Sequence, residues 1–256
     1  MPAYTTRDIR NLVLLGHGGA GKTSLAEALL REAGAVHHLA LVEKGTTVSD
    51  YHPEEQAHGH SIFASIMHCD YQGKHINLID TPGYADFAGQ AVKMFPAVET
   101  AVVVISATGG IEPGARRMFE RAGERKLCRM IVINKIDAEN IDLPALLRDI
   151  RDAFGSECLP INLPSQNGTA VVDCFFNPAG ESDFGSVEAA HQALIDQVVE
   201  VDEELLELYL QQGEVKPEQL HDPFEKALRE GHLVPICFTC ARHHADPART
   251  AGVTDL

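Results

Sequence analysis

Short apolar runs alternate with amphipathic segments along most of the chain. The runs at 10–16, 61–69, 75–80, 100–106, 129–134 and 234–238 predict six strands. The segments 22–33, 86–97, 113–126, 142–154 and 223–231 carry apolar residues three and four apart and predict helices. "AVVVI" at 101–105 has no polar alternation, as expected of a central strand covered on both faces. Repeated strand–helix alternation predicts an α/β fold, with a mixed six-stranded sheet and helices on both faces. "SIFASIMHC" and "KHINLID" flank "DYQG" and read as a hairpin, so one edge strand runs antiparallel.

Two stretches break this rhythm. Residues 36–60 have no clean period and contain "GTTVSDYHPEEQAHGH", a long loop of the kind that is functional or mobile. Residues 158–222 separate the fifth strand from the sixth and read as an inserted α/β subdomain. The main domain is then discontinuous, 1–157 and 223–256. One helix in the insertion aligns Val187, Leu194, Val198, Val201, Leu205 and Leu208 in a single apolar stripe. Asp196, Glu200, Glu203, Glu204 and Glu207 fall on another face. Residues 181–222 hold twelve acidic residues against one lysine, a charge of −11. Two readings stand, a solvated face and a docking face for a basic partner.

The whole chain of 256 residues carries a net charge of −16, which argues against a simple basic nucleic-acid surface. No apolar run is long enough to span a bilayer, and "MPAYTTRDIR" has no targeting core. The reading is a cytoplasmic, monomeric protein without membrane contact. Six scattered cysteines suit reduced thiols.

The chemistry is concentrated in three stretches. Gly16-His17-Gly18-Gly19-Ala20-Gly21-Lys22-Thr23, followed by Ser24, matches the phosphate-binding loop between a strand and a helix. Backbone N–H groups there converge on an anion, Lys22 reaches the β- and γ-phosphates, and the Thr23 hydroxyl binds Mg²⁺. Asp80-Thr-Pro-Gly83 closes the third strand; Asp80 is placed to hold Mg²⁺ through water and the Gly83 N–H to face a γ-phosphate. Asn134-Lys135-x-Asp137 follows the fifth strand. A carboxylate at 137 accepts from both the N1 and N2 hydrogens of guanine, a donor pair that adenine lacks. Cys237-x-x-Cys240 with His243 and His244 is a weaker metal or redox signal, set against a buried strand that separates the two thiols.

With these motifs the chain resembles the translational GTPases, and specifically elongation factor G and its close paralogues. The phosphate loop, "DTPG" and "NKID" carry the likeness, "GTTVSDY" resembles the start of that group's mobile switch loop, and "LPINLP" and "VVEVDEELLELYL" are similar to segments of its insertion. The resemblance implies a P-loop GTPase fold, GTP/GDP and Mg²⁺ as ligands, and GTP hydrolysis on the ribosome through the large-subunit stalk and factor-binding site. It also implies a first domain with others to follow, the final residues "GVTDL" entering its last helix. Release factor three shares the insertion and is an alternative. A switch that binds GTP with little hydrolysis is another.

Three departures from the family follow. Tyr84 stands where the family has a histidine thought to place the attacking water; a neutral phenol there predicts very slow intrinsic turnover. His58-Gly-His60-Ser61-Ile62 replaces the common Arg-Gly-Ile-Thr-Ile, with Ser61 still able to offer oxygen to Mg²⁺. Cys240-Ala241 replaces a Ser-Ala pair whose backbone N–H meets guanine O6.

Overall fold

The computed structural model describes residues 4–212, 215, 217–242, 246 and 249–256. The apolar runs become β1 (Ile9–Leu15), β2 (Ser65–Tyr71), β3 (Lys74–Asp80), β4 (Thr100–Ser106), β5 (Cys128–Asn134) and β9 (Val234–Thr239). The sheet has seven strands rather than six, in the order β2-β3-β1-β4-β5-β9-β6. The addition is β6 (Cys158–Pro160), which pairs in parallel with β9 through Cys158–Val234 and Pro160–Ile236. Its three residues come from the start of the segment expected as an insertion. Within this sheet, among the described residues, β2 alone runs antiparallel, joined to β3 by Gln72 and Gly73, both with positive φ, as a tight hairpin turn requires.

The central strands bury both faces. Along β4, Ala101, Val103 and Ile105 enter one core, and Val102 and Val104 enter the other. The first core takes α3 (Ala88–Met94), α4 (Pro113–Glu124) and α5 (Leu143–Phe154); the second takes α1 (Lys22–Glu32). Asp142 caps α5, accepting from the Ala145 N–H at 2.9 Å.

Beyond β6, β7 (Asn162–Ser165) and β8 (Ala170–Asp173) form a separate two-stranded sheet. The single expected helix is two, α6 (Val187–Val199) and α7 (Glu203–Gln212). Asp202 starts the second, accepting from the Leu205 N–H at 3.0 Å. The apolar stripe survives the break: Val187, Leu194, Val198 and Leu205 are buried, while Glu200, Glu203, Glu204 and Glu207 are exposed. Helix α8 runs Pro217–Glu230, earlier than the expected 223–231, with Pro223 inside it. Residues 251–256 form no helix; Ala251 instead pairs with Cys240 through two 2.9 Å backbone hydrogen bonds.

The long loop is built rather than featureless. It contains a 3₁₀ turn at Val42–Lys44 and α2 (Pro53–His58). Glu55, buried in α2, accepts from the N–H groups of Ile62 and Phe63 at 2.9 and 3.0 Å. Glu27 of α1 accepts from the Val48 N–H at 2.5 Å.

Candidate nucleotide-binding cleft

The parallel strands β1, β3, β5 and β9 deliver their carboxyl ends to one side of the sheet, where ligands bind in open α/β folds. Register aligns them: Leu14 pairs with Asp80, and Asn134 with both Ser106 and Thr239. The loops beyond these ends enclose an open cleft of about 650 Å³.

At one end lies the phosphate loop. Gly21 adopts φ 92° as it enters α1, and a Cβ there would collide with the Asn134 amide, so only glycine fits. Lys22 is buried, its Nζ donating to the carbonyls of Gly16 and His17 at 3.1 and 2.9 Å. Burial lowers its pKa to about 8, against the opposing pull of Asp80 and Glu112. Gly83 packs so closely over Lys22 Nζ and the His17 carbonyl that a side chain has no room. Gly18, Gly19, Thr23 and Ser24 also line the cleft, whereas Ala20 is packed in the core. His17 turns to Glu112, with Nδ1 2.9 Å from Oε1, and lines a second cavity of about 300 Å³ between the loop, α3 and α4.

Beside Lys22 three oxygen-bearing side chains meet. Thr23 Oγ1 donates to Asp80 Oδ2 at 2.6 Å and lies 3.2 Å from Ser61 Oγ. Ser61 in turn donates to Asp50 Oδ1 at 2.8 Å. Asp80 is buried, and its Oδ1 has no hydrogen-bond partner. Burial raises the Asp80 pKa to about 6, and Asp50 adds like-charge repulsion. An orphaned carboxylate oxygen next to two hydroxyls is an incomplete donor set, and all-oxygen donors of this kind suit a hard divalent cation. The site therefore fits Mg²⁺.

The other end is organised by Asn134. Its Nδ2 donates to the Ala20 carbonyl at 3.0 Å, and its Oδ1 accepts from the Ala241 N–H at 3.1 Å. Of the Cys240-Ala241 pair, from which a backbone N–H was expected to meet guanine O6, the Ala241 N–H is directed to Asn134 and the Cys240 N–H to the Ala251 carbonyl. Lys135, with φ 65°, reaches back to the Gly19 carbonyl at 2.7 Å. Asp137 lines the cleft, and the Cys240 thiol behind it donates to that carboxylate; burial first, then this bond, raises the thiol's pKa. Cys237 is buried on β9, its thiol 3.8 Å from the Asp255 carbonyl, away from Asp137. Among the described residues no three His, Cys, Asp or Glu side chains form a metal cluster, and His243 and His244 lie outside the described residues.

Sequence reasoning missed several wall residues. Arg242 Nη1 donates to both carboxylate oxygens of Glu43, at 2.7 and 2.8 Å, across the mouth of the cleft. Asp50, Glu112 and the packing of His60 on Tyr84, with ring centroids 4.7 Å apart, also went unread.

The family model of the elongation factor Tu GTP-binding domain matches residues 7–254. The chain belongs to that family. As a translational GTPase domain it is 33% identical, over 246 residues, to an elongation factor G-like protein of Mycobacterium tuberculosis (strain ATCC 25618 / H37Rv). That alignment covers 91% of this chain and 34% of the relative. Elongation factor G of Thermotoga petrophila is 28% identical over 253 residues, covering 91% of this chain and 36% of that protein. A crystal structure of a Thermus thermophilus protein superposes with a TM-score of 0.84 at 34% identity, covering 96% of this chain and 39% of that one. The chain thus spans about a third of the length of the curated relatives. Among the described residues no helix is long and apolar enough to cross a membrane.

Proposed function

We propose that the cleft binds GTP and GDP with Mg²⁺ and hydrolyses GTP to GDP and phosphate, as the nucleotide-driven part of a cytoplasmic, elongation factor G-like protein acting on the ribosome. The observation that carries this reading is the convergence of three separated motifs on one cleft, through Lys22, Asp80 and Asn134. Lys22 and the N–H groups entering α1 supply the positive end for phosphates. Thr23, Ser61 and Asp80 would hold Mg²⁺. When bound, the cation would neutralise charge on the β- and γ-phosphates. Asp137 would select guanine.

Tyr84 supports a second reading, a switch with very low intrinsic turnover. Its phenol stands at the cleft beside Gly83, half exposed, where the family's imidazole is absent. Segment 158–222 is proposed as the docking unit, since Glu200, Glu203, Glu204 and Glu207 face solvent while Val187, Leu194, Val198 and Leu205 are buried. Multiple-turnover phosphate release by the intact protein tests the hydrolytic reading. Slow release alone, accelerated at least tenfold by ribosomes, is expected. Release unaffected by ribosomes favours the binding switch.

A further inference from the structure

The aromatic side of the cleft holds an imidazole that the family pattern does not call for. His60 is half-buried on the switch segment, and its ring lies 4.7 Å from that of Tyr84 at an interplanar angle of 55°. Tyr84 itself lies over Gly18: a Cβ at position 18 would stand 3.1–3.2 Å from three of its ring atoms. The absence of a side chain at 18 therefore makes the seat for the Tyr84 ring, and that ring makes a seat for His60. Exposed His58 stacks on the outer side, 5.8 Å from His60.

The neighbours fix where this stack stands. Ser61, next to His60, reaches Thr23, and Gly83, next to Tyr84, covers Lys22. Both rings line the cleft with these residues. They are thus at the end that takes the terminal phosphate. His60 Nδ1 lies 3.4 Å from the Ser61 carbonyl oxygen. A proton on Nδ1 turns that contact into a hydrogen bond and leaves Nε2 as an acceptor.

We propose that His60, seated on Tyr84 above Gly18, is the residue that orients the attacking water in GTP hydrolysis. This rests on the nucleotide reading above. The water oxygen forms a bond to the γ-phosphorus as the bond from that phosphorus to the β–γ bridging oxygen breaks. His60 accepts a hydrogen bond from the water without taking its proton, and both hydrogens of the water leave on the released phosphate, as H₂PO₄⁻. Tyr84 is a positioning residue: its ring matters more than its hydroxyl.

The test uses the intact protein with ribosomes and measures single-turnover GTP cleavage, GDP affinity, and retention of GDP with aluminium fluoride, which imitates the transferring phosphoryl group. His60→Ala lowers the cleavage rate about 100-fold, the scale of an orienting group, and abolishes retention of aluminium fluoride, while GDP affinity stays within about twofold. His60→Gln, whose amide can also orient water, recovers much of the rate. Tyr84→Phe loses far less than His60→Ala. If native protein binds GDP and hydrolyses GTP but His60→Ala does both equally well, this proposal falls alone. If Tyr84→Phe is the more damaging change, the phenol orients the water and the proposal is again overturned. If native protein binds no GDP, the nucleotide reading falls and takes the proposal with it; if it binds GDP but cleaves no GTP even with ribosomes, the proposal is overturned while nucleotide binding stands.

Discussion

Asn134 Nδ2 donates to the carbonyl of Ala20, joining the loop expected to read the base to the loop expected to hold the phosphates. The same side chain accepts from the Ala241 N–H. Asn134→Ala leaves a carbonyl and an N–H without their partner inside a buried junction, at a cost of about 3 kcal/mol. GDP affinity, measured by calorimetry, is expected to fall about 100-fold. Phosphate contacts and base preference loosen together, because one residue supports both ends.

Asp80 is the second lever. Its Oδ1 has no hydrogen-bond partner among the described residues, and burial raises its pKa to about 6. Asp80→Asn removes the buried charge. GDP affinity of native protein is expected to drop at least tenfold when Mg²⁺ is chelated, and that of Asp80→Asn to be nearly indifferent to chelation. Equal sensitivity in both proteins places the cation elsewhere.

The Glu43–Arg242 pair spans the mouth of the cleft between the switch segment and the loop after β9. Being largely exposed, it contributes well under about 1 kcal/mol to stability. Its effect is expected in kinetics: Glu43→Ala speeds GDP dissociation a few-fold in stopped-flow measurements and leaves the melting temperature nearly unchanged.

Glu27 gives a pH dependence. It is buried, Oε1 accepts from the Val48 N–H, and burial raises its pKa against the lowering pull of backbone hydrogen bonds from Val48 and Ala40. A carboxyl whose folded pKa lies above its unfolded value of about 4.5 binds protons more readily in the folded state, so stability falls as pH rises between the two values. Glu27→Gln keeps an acceptor for Val48 and removes this slope. Its melting temperature is expected to exceed that of native protein most at neutral pH, with the gap closing toward pH 4.5.

The exposed face of Glu200, Glu203, Glu204 and Glu207 distinguishes docking from solvation. Neutralising all four is expected to slow association of the intact protein with ribosomes, more at low salt, where charge steering is least screened. GDP affinity stays fixed. Association rates that ignore the change leave these carboxylates as a solvated surface.

Much of this arrangement was legible in the chain. Runs such as 101–105 declare buried central strands, and the motifs at 16–23, 80–83 and 134–137 each follow a strand, so the parallel topology alone brings them together. β6 was not legible because three residues carry no period. The helix break at 200–202 was hidden because Leu205 stays in phase with Leu194 and Val198. Glu43 and Arg242 are 199 positions apart, and neither lies in a periodic element. Tyr84 could be flagged from its motif, but its seat on Gly18 and contact with His60 depend on how the switch segment folds back, which no local pattern encodes.

The most direct test of the cleft's assignment is base discrimination at Asp137. A carboxylate there accepts from both guanine donors, so calorimetry is expected to show GDP binding at least 100-fold tighter than ADP, the scale of two charge-assisted hydrogen bonds. Asp137→Asn is expected to shift preference toward xanthosine diphosphate, whose 2-oxo group suits an amide donor. Equal affinity of native protein for GDP and ADP would contradict the account.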